Sequence, residues 1–148
     1  GVIGRFFEEG WLGEKDLEKA FDYYRCSAEA GDFRGQYNYA LILLERTQVE
    51  NSLHWMRIAL LNAHLAFSRT MAANLLRHPH PALRQVGMEA LHKCAQQGDE
   101  GDGYTYAKRL LSQQDIMSLS LGRWWLRCAA RQGHVQAQQE VLRYIYLS

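Results

Sequence analysis

The sequence predicts an all-α fold, an α/α solenoid (superhelix) of about four helix-turn-helix repeats and about nine helices. Two observations carry this expectation. First, one phrase occurs four times, as Ala20–Asp32, Ser52–His64, Gly87–Asp99 and Gly122–His134. Each copy has an aromatic or apolar pair near its start and small residues near its end. The copies close on Gly31, Ala63, Gly98 and Gly133, at steps of 32, 35 and 35 residues. A self-similar period of about 20–50 residues marks units that stack on their neighbours to bury a shared core. Second, apolar residues recur three or four apart and strand-like alternation is absent. Tyr39, Ala40 and Leu43 share one helical face, as do Tyr106, Ala107 and Leu110. Ala20, Tyr23, Tyr24, Ser27 and Ala28 form the equivalent stripe.

Taken in order, the expected helices are Val2–Glu9, Asp16–Ala30, Phe33–Arg46, Asn51–Asn62, Ala66–Arg77, Ala82–Gln97, Gly101–Ser112, Ile116–Gln132 and Val135–Tyr146. The second helix of a repeat ends on the closing glycine, which suits a left-handed C-cap because it carries no Cβ. Asp16, Asn51 and Asp115 are candidate N-caps. Pro81 suits the first position of the sixth helix, where a missing N–H leaves no bond unmade. The whole chain, 1–148, reads as one repeat domain, with units at about 1–31, 32–63, 64–98 and 99–133 and a terminal helix at 134–148.

Composition narrows the function. At 148 residues and 47% hydrophobic the chain can bury an adequate core. Seventeen Lys+Arg against sixteen Asp+Glu leave a net charge of +1, so bulk attraction to nucleic acid is not indicated. No apolar run reaches the roughly 18–20 residues that span a bilayer. No signal peptide is visible, although a chain opening at Gly1 leaves room for a leader or further repeats. Cys26, Cys94 and Cys128 are odd in number and irregular in spacing, which argues against a disulfide framework and for small buried thiols. That usage favours a cytoplasmic over a periplasmic location.

The stretch Gly4–Asp32 resembles a Sel-one-like repeat, a relative of the tetratricopeptide repeat. Ile3-Gly4, Phe7, Gly10, Asp16, Lys19-Ala20, Tyr23-Tyr24, Ser27-Ala28 and Gly31 stand where that pattern places its residues. Gln36-Tyr37-Asn38-Tyr39-Ala40 continues it, and Trp124-Trp125, Ala129-Ala130 and Gly133 repeat it. The middle copies depart from it, with Ala63 for the closing glycine and Asp102 for a small alanine. The resemblance covers essentially the whole chain. It implies a right-handed superhelix that scaffolds protein complexes.

Residues able to carry chemistry are few. His78-Pro79-His80 with His92 is the nearest approach to a metal motif, but three or four ligands with second-shell partners are needed. It reads as an interhelical loop. Trp124-Trp125 and Tyr23-Tyr24 read as one core and one surface ring each, rather than as a stacking platform. Glu8-Glu9 with Glu14 and Asp16 form a wet acidic turn unsuited to acid–base work. The cysteines sit in no Cys/His motif, and no phosphate loop or serine elbow is present. No catalytic residue, metal or cofactor is expected.

The function is therefore expected on a surface. In stacked hairpins the first helix of each unit lines the concave side. With Tyr39, Met71, Tyr106 and Val141 as packing residues, the groove-facing positions include Arg34, Tyr37 and Leu41 from one unit and Arg69 from the next. Tyr104 and Lys108 follow, then Gln136, Gln139, Arg143 and Tyr146. Four cations and three tyrosines occur with no carboxylate among these positions, and Arg and Tyr are enriched at interface hot spots. The expected function is a non-enzymatic scaffold or adaptor that binds a protein or peptide, one with acidic side chains or a C-terminal carboxylate. The alternative is an envelope factor recognising peptidoglycan or polysaccharide through its aromatics. Leu142, Ile145 and Leu147 on the terminal helix also provide for self-association.

Overall fold

The computed structural model describes the backbone of residues 14–147 and the side chains of residues 17–144. The expected helix at Val2–Glu9 lies outside the described residues. Eight helices are described, with no strand among them: α1 (Glu14–Glu29), α2 (Phe33–Glu45), α3 (Val49–Asn62), α4 (Leu65–Leu76), α5 (Pro81–Gln97), α6 (Glu100–Ser112), α7 (Ile116–Arg131) and α8 (Val135–Leu147). They fall into two compact units divided after His64. In the first, α1 packs on α2 and α2 pairs with α3. In the second, the hairpins α4/α5 and α6/α7 are joined by contacts of α5 with α6, and α8 packs on α7. Both are all-α runs of helical hairpins, the repeat architecture expected from the phrase.

Helix ends explain where the hairpins turn. Gly31 and Gly133 take positive φ, +93° and +101°. After each, two amides fold back on the helix: Gly31 N donates to Ala28 O and Asp32 N to Ser27 O, and Gly133 and His134 repeat the pattern on Ala130 and Ala129. The next residue then opens the following helix. The Asp32 carboxylate accepts from Arg34 N, and His134 Nδ1 accepts from Ala137 N. Thr47 closes α2 in the same way at φ 60°, without a glycine.

Gly98 corrects the expectation of a left-handed cap, because its φ is −96°. A Cβ there would collide with the Asp102 carboxylate and stand 2.7 Å from Cys94 O. Glycine is required at this position for space and not for its backbone angle. Among the candidate N-caps, Asp115 accepts from Ser118 N at 2.8 Å. Asn51 instead lies inside α3, which starts at Val49 behind Gln48, and its Nδ2 donates to Gln48 Oε1. Asp16 likewise falls within α1. Pro81 does open α5.

A small residue recurs at one repeat position, as Ala20, Ser52, Gly87 and Gly122, all buried, and the last three let the hairpins α2/α3, α4/α5 and α6/α7 close tightly. Ser52 Oγ donates to Ala40 O at 2.6 Å across the α2/α3 crossing. A Cβ on Gly87 would stand 3.0 Å from Leu76, and one on Gly122 2.9 Å from Leu111. Four positions on, Tyr24, Met56, Leu91 and Leu126 are buried. Tyr39 packs in the first unit between Phe21 and Trp55, at ring distances of 5.4 and 5.6 Å. Its counterpart Tyr106 packs in the second between His92 and Trp125, at 5.4 and 5.6 Å. Met71 is fully buried, and Val141 packs on the cluster of Ala107, Leu126, Ala129 and Ala137.

Of each aromatic pair one ring is inside: Tyr24 is buried and Tyr23 exposed, Trp125 half-buried and Trp124 exposed. The cysteine expectation needs a correction. Cys94 is buried and Cys128 half-buried, but Cys26 is exposed, two residues from both Tyr24 and Ala28 of the buried stripe.

Candidate functional site

The first helices of the second unit, α4, α6 and α8, carry side chains that reach one another across about one repeat length. Arg69 on α4 donates to Asp102 on α6 from both Nε and Nη2, at 2.8 and 2.6 Å. This two-pronged geometry is the strong form of the carboxylate–guanidinium bond. Lys108 on α6 donates to both oxygens of Glu140 on α8, each at 3.2 Å. Tyr104 Oη donates to the same carboxylate at 2.7 Å, while its ring stacks on His134 with centroids 4.2 Å apart. The bond to Glu140 above all, with burial adding to it, raises the Tyr104 pKa.

Asp102 is the centre of this arrangement. Its carboxylate also accepts from Asp99 N, while Asp99 accepts from Asp102 N, so the pair closes the start of α6. The Arg69 bond above all holds the Asp102 carboxyl below its usual range, opposed by burial. Arg69 is correspondingly raised. Beneath them burial pushes the Cys94 thiol up, with the Asp102 charge adding to it.

The depressed Asp102 pKa sets a sign. Its contribution to stability is present above the unfolded carboxyl value of about 3.9 and is lost as pH falls through the lower folded value. Asp102→Asn is therefore expected to lower the melting temperature by a few degrees at pH 7. The gap to the parent chain should close as the pH falls below about 4. Melting curves from pH 2 to 7 read this directly, and a constant gap would contradict it.

The structure places the candidate groove residues unevenly. Arg69, Tyr104 and Lys108 do share one face, but the expectation of cations without carboxylates is corrected, because Asp102 and Glu140 stand among them. Gln136, Gln139 and Arg143 are exposed on α8. The Tyr146 side chain lies outside the described residues. In the first unit, Arg34 is exposed with its guanidinium 4.7 Å from the Phe33 centroid, and Leu41 is half-buried. Tyr37 is 9% exposed and belongs to the core rather than to a docking face.

Asp102, Glu140 and His134 were missed by counting two and five places from the packing residue. The signal was the spacing: Arg69 to Asp102 is 33 residues and Lys108 to Glu140 is 32, close to one repeat.

The histidine loop serves the backbone. His80 Nδ1 accepts from Ala82 N and caps α5, His78 Nδ1 accepts from His80 N, and Arg84 donates to the carbonyls of His78 and Pro79. Among the described residues no three His, Cys, Asp or Glu side chains gather as metal ligands would. No described helix is long and apolar enough to cross a membrane.

No family profile matches the chain, and no curated protein matches it. Among solved structures it is similar to a protective antigen of uropathogenic Escherichia coli strains described as displaying an SLR fold. The two are 24% identical, with a TM-score of 0.49 over 95% of this chain and 31% of the other. The chain thus spans about a third of the length of that protein.

Proposed function

We propose that this chain is a non-enzymatic interaction module, a scaffold or adaptor that binds a partner protein or peptide on its first-helix face. The observation that carries the reading is the pair of cross-repeat bonds, Arg69 to Asp102 and Tyr104 with Lys108 to Glu140. They hold α4, α6 and α8 in register and fix a row of polar groups before any partner arrives. Fixing side chains in advance lowers the entropy lost on association. Beside that row Gln136, Gln139 and Arg143 remain exposed to meet a partner.

The cross-repeat bonds also decide how the face is tested. Reversing Arg69 or Lys108 would disturb the register of the helices as well as the surface. Gln139→Glu combined with Arg143→Glu alters the surface alone. A partner recovered by affinity purification and identified by mass spectrometry should bind this double variant at least tenfold more weakly, with helicity and melting temperature unchanged. Undiminished binding overturns the face. The alternative, recognition of peptidoglycan or polysaccharide, would use the exposed rings of Tyr23 and Trp124. Sedimentation with purified cell wall, lost on Trp124→Ala, would favour it.

A further inference from the structure

On α7, the second helix of its hairpin, the residues opposite the buried face of Gly122, Leu126 and Ala129 form two parallel stripes. One is apolar. Met117 is 82% exposed, Trp124 53% and Leu121 43%, at spacings of four and three, with Ile116 82% exposed at the helix start. The other is basic, with Arg123, Arg127 and Arg131 four apart and all exposed. At 3.6 residues per turn the stripes lie roughly 90° apart around the helix. No residue of α7 carries a carboxylate. Asp115 before it is engaged by Ser118 N, and Glu140 on the neighbouring α8 is engaged by Tyr104 and Lys108. Arg123 lies 5.8 Å from the Tyr144 ring, so the basic stripe borders α8. The apolar side chains, with Ser118 and Ser120, frame an open depression of about 650 Å³.

We propose that this outer face of α7 docks an acidic amphipathic helix of a partner protein, apolar side chains in the depression and Asp or Glu residues along the arginines. The stripes repeat every three or four residues, so a helix with the complementary pair of stripes meets both at once. A second copy of this chain is disfavoured, since two-fold pairing of the face sets the arginine stripe either against itself or against the apolar stripe, and in neither case against a carboxylate. The site is separate from the first-helix face and stands without it.

The test is selection of a displayed library of random 16-residue peptides on the intact chain. Enriched peptides should be net acidic, with apolar residues at helical spacing. Trp124→Ala should weaken them at least tenfold, and so should Arg127→Glu with Arg131→Glu. Peptides with Lys in place of their acids should regain affinity for the arginine-reversed variant. These side chains are exposed, so circular dichroism should be unchanged, and Gln139→Glu with Arg143→Glu should leave this binding intact. Four outcomes overturn the proposal: no enrichment, enrichment without acidic excess, preference for anionic phospholipid vesicles over every peptide, or a dimer in light scattering that Leu121→Glu dissolves.

Discussion

Tyr106→Ala is expected to destabilise the second unit by about 3–5 kcal/mol, the range for removing a large aromatic from a core. The ring is 7% exposed and wedged between His92 of the preceding hairpin and Trp125 of its own. Its loss would leave a cavity where two hairpins meet, which the neighbouring side chains close only in part. Burial also raises the Tyr106 pKa, in keeping with a phenol shielded from water. Tyr106→Phe keeps the ring and should stay within about 1.5 kcal/mol of the parent chain. Urea unfolding of the three proteins separates these outcomes, and equal midpoints for Ala and Phe would show that the ring does not join the hairpins.

Gly122→Val is the second large effect, at about 1–3 kcal/mol through overpacking. A single Cβ at this position would already stand 2.9 Å from Leu111 and 3.1 Å from Leu110, and valine adds two further methyl groups. The α6/α7 hairpin would have to open to admit them. Gly103 supplies the contrast, since its nearest neighbour would be Trp125 Cε3 at an ordinary 3.8 Å. Gly103→Ala should be neutral or stabilising by up to about 1 kcal/mol, because glycine is a poor residue for a helix interior. Thermal melts that place both variants together would refute the packing argument.

The small residue opposite α2, α4 and α6 was legible in the phrase as its start, Ser52, Gly87 and Gly122. Its physical meaning required the second helix that crosses there. The glycine caps divide in the same way. Gly31 and Gly133 could be recognised because a left-handed turn has a local cause, whereas Gly98 answers to the carboxylate of Asp102 four residues on. Tyr37 was misjudged because a position counted from Tyr39 says which side of a helix it occupies, not how far the neighbouring helix reaches round.

Among the described residues the chain alone determined the helices, their hairpin pairing and most of their ends, since 3.6-residue periodicity, capping side chains and glycine turns act over a few neighbours. Tertiary structure decided the chemistry of the faces. Arg69 and Lys108 were visible as cations, yet their carboxylates lie 33 and 32 residues away and are brought near only when one repeat stacks on the next. On α7 the same stacking buries Leu126 and Ala129 and leaves Met117, Leu121 and Trp124 in water beside three arginines. A helix has two sides whatever its sequence, and its packing partner selects the one that stays outside.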